Sequence, residues 1–135
     1  MEKILVTVGI TENNYSAHVI IGDGIAVSTG KTFEELKQQM KEAVEFHLES
    51  MLEDNEEIPV QFTKEYQLMY RFDAESLLQH YNGILTNSSL ERLTGINQRQ
   101  LQRYASGVNK PRKAQSIKIT NGLHQLGREL LAVEL

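Results

Sequence analysis

Four polar side chains close together in the chain have the types and spacing that read the edges of DNA bases: Gln98, Arg99, Gln102 and Arg103. Leu101 and Tyr104 occupy the positions that would hold a helix down from beneath. The four polar residues would then point outward. Arginine is suited to guanine and glutamine to adenine in the major groove. The pattern therefore predicts a helix surface that reads duplex DNA.

The chain that follows this predicted helix is basic and suited to phosphate contacts. Gly107 ends the helix, and a loop with Lys110, Arg112 and Lys113 comes next. Lysine and arginine at such positions fix a protein on the DNA backbone. A longer stretch around the loop contains eight basic residues and no acidic one: Arg92, Arg99, Arg103, Lys110, Arg112, Lys113, Lys118 and Arg128.

Charge is divided unevenly between the two halves of the chain. Residues 1–70 carry five Lys and Arg against thirteen Asp and Glu, a net charge of −8. Residues 71–135 carry nine against five, a net charge of +4. A basic stretch inside an acidic protein is typical of polyanion binding. The alternative is that Arg99 and Arg103 only solvate a helix face, but an ordinary surface helix mixes both signs of charge.

Two short helices, predicted over residues 87–94 and 97–106, position these side chains. Leu90 and Leu93 pack the first helix on the core of its domain. Asn87 stands at the start of this helix and is a further candidate for DNA contact.

A tight turn joins the two helices. Gly95 supplies the backbone freedom that the turn needs, and Ile96 plugs the junction. Asn97 caps the second helix with its side-chain oxygen and is also a candidate for DNA contact.

This segment resembles the lambda-repressor-like (Xre-type) helix-turn-helix family. The residues that carry the resemblance are Leu90, Leu93, Gly95, Ile96, Asn97, Leu101, Arg103, Tyr104, Gly107, Lys110 and Pro111. Ala105 departs from the pattern, since the family often has an acidic residue there. The resemblance implies operator binding by a homodimer or a higher even oligomer, because half-sites one helical turn apart match a two-fold protein.

The first half of the chain has the pattern of a βββαβ unit. Its first strand is predicted at residues 3–10, which are rich in β-branched side chains. Three further strands are predicted at Tyr15–Ile21, Ile25–Ser28 and Tyr66–Phe72. Thr32 and Glu35 have the spacing of a capping box at a helix start. The inward stripe of this helix is predicted as Phe33, Leu36, Met40, Ala43, Val44, His47, Leu48, Met51 and Leu52.

From Asp73 onward the chain has the pattern of four helices. Asp73 caps the first of them, and Asn82-Gly83 ends it. The fourth is predicted over residues 114–131. Its inward face is predicted as Ile117, Ile119, Leu123, Leu126 and Leu130.

The join between the third strand and the helix resembles the HicB antitoxin family. The residues that carry this resemblance are Gly30-Lys31-Thr32-Phe33-Glu34-Glu35, Ala43 and Glu56-Glu57-Ile58-Pro59. The resemblance implies a truncated ribonuclease H-like fold for residues 1–72. The predicted fold class is α+β, with this βββαβ domain followed by an all-α helix-turn-helix domain over residues 73–135.

The HicB resemblance also implies a protein partner and a role. HicB-like type II antitoxins neutralise a small basic HicA-like toxin that cleaves messenger RNA, and they repress their own operon. The charge of −8 on residues 1–70 suits a cationic partner, although acidity could serve solubility alone. No residue is assigned to toxin contact.

The alternative is a stand-alone DNA-binding transcription regulator whose amino-terminal domain senses a ligand or dimerises. A short basic reading frame directly beside the gene would favour the antitoxin.

Catalysis, metal binding and cofactor binding are not expected. Two-metal nucleases need several carboxylates at one site, but residues 3–10 carry none, and only Glu2 and Glu12 flank them. The histidines lack the paired spacing of metal ligands: His18, His47, His80 and His124.

Nothing in the sequence predicts export or membrane insertion. The chain has no cysteine, no secretory signal at its start and no apolar run of the roughly 18 residues that a membrane span needs. A cytoplasmic location is expected.

Overall fold

A computed structural model of the protein describes residues 1–11 and 13–135. Glu12, predicted to flank the first strand, lies outside the described residues. The chain forms two compact units, Met1–Phe72 and Asp73–Leu135. The first unit contains a four-stranded sheet and a long helix, and the second contains four helices. The predicted mixed α+β class is confirmed.

Four strands of the first unit form one sheet in the order β3-β2-β1-β4. Strand β1 pairs antiparallel with β2 and parallel with β4, and β2 pairs antiparallel with β3. Buried and exposed residues alternate along the first three strands, as one covered face requires. The predicted order of three strands, a helix and a strand is confirmed, with these bounds: β1 Glu2–Ile10, β2 Tyr15–Ile21, β3 Gly24–Gly30 and β4 Tyr66–Phe72.

Helix α1, Phe33–Glu53, covers one face of the sheet. The Thr32 hydroxyl accepts a hydrogen bond from the Glu35 backbone N–H at 3.1 Å, which confirms the predicted cap. The second bond of a capping box is displaced by one residue. The Glu35 carboxylate accepts from the Lys31 N–H at 3.3 Å, so it satisfies the backbone donor just before the cap.

The core of the first unit lies between α1 and the sheet. Its fully buried side chains are Val6, Val8, Ile21, Leu36, Met40 and Val44. Leu52 was expected on the inward stripe of α1, but its side chain is 64% exposed. Met51 takes the inward position in this last turn, and one residue further along turns the side chain by about 100° around the helix axis.

A short 3-10 helix, Val60–Phe62, precedes β4 and was not predicted. Phe62 buries its ring in the core and stacks edge-on against Tyr66. At the other end of α1, Phe33 makes edge-on contacts with Tyr70 and Phe72.

The face of the sheet opposite α1 carries exposed apolar side chains. Leu5, Ile20, Ile25 and Val27 alternate with buried neighbours on β1, β2 and β3 and are all exposed. Ile20 lies directly across from Ile25 in the strand pairing. We call these four residues the open sheet face.

The second unit consists of four helices: α2 Ala74–Tyr81, α3 Asn87–Thr94, α4 Gln98–Ala105 and α5 Lys113–Leu131. Asp73 caps α2 by accepting a 2.7 Å hydrogen bond from the Ser76 N–H. The buried core of this unit contains Leu78, Leu90, Ile96, Leu101, Tyr104 and Ile119. No helix in the described part of the chain is both long and apolar enough to cross a membrane.

The inward face of α5 differs from the expected one. Ile117 and Leu130 were expected to point inward, but their side chains are 48% and 60% exposed. Ile119 and Gly122 are the buried residues of this helix. Ile117 lies two residues before Ile119, about 200° away around the helix axis, and so faces the opposite side. Leu130 lies near the end of α5, beyond the close approach that Gly122 makes to the end of α3.

Candidate nucleic-acid interface

The turn between α3 and α4 is tight and internally bonded. Gly95 ends α3 with a φ of 76°, in the left-handed region that favours glycine. The Thr94 hydroxyl donates to the Leu90 carbonyl at 2.7 Å and accepts from the Ile96 N–H at 3.1 Å. Ile96 is buried beneath the turn. These contacts fix the direction in which α4 leaves α3.

Asn97 starts α4. Its side-chain oxygen accepts a hydrogen bond from the Arg99 N–H at 2.8 Å. This bond satisfies one of the backbone donors that the first turn of a helix leaves free. The oxygen of Asn97 is therefore already engaged in capping the helix.

Helix α4 has one buried and one exposed side. Leu101 and Tyr104 are buried in the core of the unit. The four side chains with base-reading chemistry are exposed: Gln98, Arg99, Gln102 and Arg103. Arg99 and Arg103 form no ion pair with any residue in the described ranges, so both guanidinium groups keep their donors for another partner.

Residues of α3 hold two of these side chains. The Asn87 amide donates to the Gln102 side-chain oxygen at 3.0 Å. The Gln98 amide donates to the Glu91 carboxylate at 2.9 Å. The structure thus brings Asn87, a predicted contact, against the exposed side of α4, and it adds Glu91, which sequence reasoning missed.

Two carboxylates approach the basic surface in space although none lies within it in sequence. Glu91 reaches Gln98 from α3. Glu75 of α2 lies beside Gly107, with its carboxylate about 3 Å from the position that a β-carbon would occupy there. Residues 92–128 contain no acidic residue, but two carboxylates from outside this stretch lie against its surface in the fold.

A second missed residue holds the far end of α4. The Gln79 amide of α2 donates to the Ala105 carbonyl at 2.9 Å. This bond satisfies a carbonyl that the last turn of the helix leaves free. Both Glu91 and Gln79 make their contacts with a residue of another helix. Residue spacing does not reveal such contacts, so the sequence alone did not identify these two residues.

The basic loop lies next to α4. Lys110, Arg112 and Lys113 are all exposed. An open groove of about 600 Å³ is lined by Gln100, Tyr104, Val108, Asn109, Lys110, Arg112 and Gln115. Two of the predicted phosphate contacts thus border the same groove as residues of α4. Lys113 begins α5.

The first unit has its own open groove, of about 530 Å³, between α1 and β4. Lys37, Lys41, Tyr66 and Tyr70 are among its lining residues. Burial raises the pKa of the Tyr70 phenol, and burial together with the nearby Glu45 raises the pKa of Tyr66. Both phenols therefore remain neutral hydrogen-bonding groups at physiological pH.

Among residues 1–11 and 13–135, no group of three or more His, Cys, Asp or Glu side chains could hold a metal ion. Burial lowers the pKa of His80, whose ring stacks edge-on against Tyr81.

Comparisons with models of known protein families, with curated proteins and with solved structures find no match for this chain.

Proposed function

We propose that the second unit is a helix-turn-helix domain that binds duplex DNA in a sequence-specific manner. The observation that carries this proposal is that Arg99 and Arg103 lie on the exposed side of α4 and form no ion pair with any described residue. Their helix is held from three sides by the turn, by α2 and by α3. Such fixed placement is what base reading requires, since a bidentate contact depends on orientation.

In this proposal α4 enters the major groove. Arg99 and Arg103 bind guanine, and Gln98 and Gln102 bind the edges of neighbouring bases. Lys110, Arg112 and Lys113 bind phosphates beside the groove that α4 enters. Asn87, at the start of α3, binds a further phosphate. These contacts fix the position of α4 along the DNA.

Selection from a pool of randomised duplexes tests this function. The full chain is expected to enrich a two-fold sequence with half-sites one helical turn apart. Recovery of a random pool after repeated rounds, at a salt concentration that weakens phosphate-only binding, would contradict sequence-specific binding.

We infer that the second unit dimerises through the end of α5. Leu130 and Leu131 are exposed there, and so are Val133 and Leu135 just beyond the helix. The alternative, that these residues close the core of their own unit, does not fit this exposure. A second copy is the occupant that a two-fold operator requires.

Leu130→Asp is expected to weaken dimerisation by about tenfold or more, because it places a charge in an apolar contact. Sedimentation velocity over a concentration series measures the change. Ile84→Asp is the control, since Ile84 is also an exposed apolar residue of the second unit. Equal effects of the two substitutions would exclude α5 as the contact.

We further propose that the first unit neutralises a small basic toxin, which makes the protein a HicB-type antitoxin that represses its own operon in the cytoplasm. Support comes from the acidity of residues 1–70 and from the open sheet face, whose apolar side chains have no cover within their own unit. Exposed apolar patches suit protein partners, and the acidity of the unit suits a basic one.

Growth rescue in a bacterial host tests neutralisation. The short reading frame beside the gene is expressed alone, where it should stop growth, and then with the full chain, where growth should recover. Val27→Asp on the open sheet face is expected to abolish recovery. Leu52→Asp is the matched control, because Val27 and Leu52 are both 64% exposed, and it should rescue fully.

The groove between α1 and β4 favours a second candidate function. Two neutral tyrosines and a balanced set of charges line it, Lys37 and Lys41 with Glu34 and Glu45, and Lys37 is paired with Glu34. Such a lining suits a small polar ligand, as a stand-alone regulator with a sensing domain would need. A harmless neighbouring reading frame, together with sequence-specific DNA binding, would favour this function over the antitoxin.

A further inference from the structure

The contact between Glu91 and Gln98 constrains how Gln98 can meet a base. The Gln98 amide nitrogen lies 2.9 Å from a Glu91 carboxylate oxygen. Gln98 is the first residue of α4, and its side chain is exposed on the proposed reading surface. Glu91 itself is half-buried on α3.

The chemistry of the two groups permits only one orientation of the Gln98 amide. An ionised carboxylate has no hydrogen to donate, so the nitrogen of Gln98 must face Glu91. The amide oxygen of Gln98 is then on the other side of the planar group. It accepts no hydrogen bond from a described residue.

Gln102 provides a contrast on the same helix. Its partner, Asn87, is also an amide. Both amides can turn over together and preserve the hydrogen bond, because each carries a donor and an acceptor. The Gln102 amide can therefore take either of two orientations, whereas the Gln98 amide can take only one.

We propose that Glu91 is a specificity-determining residue that fixes Gln98 as an acceptor toward DNA. The base that it selects carries an exocyclic amino group in the major groove. Adenine fits best, since the second amide hydrogen of Gln98 can still reach N7. Guanine and thymine are disfavoured because they present O6 and O4, which are acceptors, at the same place.

This inference rests on the proposed DNA-binding function and adds the identity of the base. It assigns Glu91 a role without direct base contact: Glu91 acts through Gln98 as a positioning residue. Because the carboxylate also repels phosphate, removing it should raise affinity for every sequence while reducing discrimination at one position.

The experiment is selection from randomised duplexes, followed by titration of the enriched duplex and of its single base-pair variants, all with the full chain. Gln98→Ala identifies the base position that Gln98 reads. At this position the wild-type protein is expected to prefer adenine over guanine and thymine by about 5- to 100-fold.

Glu91→Gln is the test variant. It keeps the size of the side chain and converts the contact to an amide pair that can turn over. Preference at the Gln98 position should fall to about twofold or less, and preference at other positions should stay unchanged. Glu129→Gln is the matched control, since Glu129 accepts from the Gln125 amide on α5 and the change in charge is the same.

A double substitution, Glu91→Gln with Gln98→Glu, places an acceptor-only group at position 98. It should restore a preference for an amino-bearing base, now cytosine, because a carboxylate accepts from cytosine N4.

Two outcomes distinguish a failure of the role of Glu91 from a failure of the proposed DNA-binding function. If the wild-type protein enriches no sequence, the proposed DNA-binding function fails. If it enriches a sequence and Glu91→Gln leaves the preference at the Gln98 position intact, DNA binding stands and the role of Glu91 is overturned.

Discussion

Arg103→Ala is expected to lower affinity for the specific operator by about 1–3 kcal/mol, the range for loss of a bidentate contact to guanine. Arg103 is exposed on α4 and has no ion-pair partner among the described residues. Leu101 and Tyr104, its buried neighbours, remain in place. The substitution therefore removes the proposed base contact without removing packing.

Arg128→Ala is the matched control for charge. Arg128 is exposed on α5, and its loss removes the same formal charge from the same unit. A titration at fixed salt should show the full loss for Arg103→Ala and only a small, sequence-independent change for Arg128→Ala. Equal losses would mean that Arg103 contributes charge and not base reading.

The second large effect concerns Gly122 and the stability of the second unit. In an exposed helix interior, replacing glycine by alanine stabilises by about 1 kcal/mol. At Gly122 a β-carbon would lie 2.7 Å from the Leu93 carbonyl oxygen and 3.2 Å from the Thr94 methyl group. Gly122→Ala is therefore expected to destabilise the unit by about 1–3 kcal/mol, because α5 must move away from α3.

Gly127→Ala on the same helix supplies the control. No heavy atom lies within 4 Å of a β-carbon at that position, so the usual stabilisation should appear. Hydrogen exchange of peptides from α3 and α5 in the full chain reports the stability of this unit alone. A Gly122→Ala protein as protected as the Gly127→Ala protein would contradict the close contact between α5 and α3.

Element positions were predictable where the determinants are local. The bounds of β2, β4 and α3 agree with the prediction, because local signals set them: apolar residues alternate in the two strands, and a glycine comes directly after β2 and after α3. The caps by Thr32, Asp73 and Asn97 also agree, since a cap needs only residues two or three positions apart.

Contacts between helices were not predictable from the same patterns. Leu130 has helical spacing with Ile119 yet is exposed, and it lies about two turns beyond the close approach to α3 at Gly122. Ile117 stands two residues before Ile119, about 200° around the helix axis, so it faces away from the core. Glu91 could not be connected to Gln98 from sequence, since their contact depends on the angle between α3 and α4. The types of the proposed base-reading residues were evident from the sequence, but the constraint that Glu91 places on Gln98 was evident only in the structure.

The central claim is that the chain recognises a particular DNA sequence through α4. The most direct test is a titration of the full chain, at physiological salt, with the duplex upstream of its own gene and with a scrambled duplex of equal composition. We expect binding to the upstream duplex at least about 10³-fold tighter than to the scrambled one, with about 1–3 kcal/mol of that difference lost in Arg103→Ala. Equal affinity for both duplexes would contradict it.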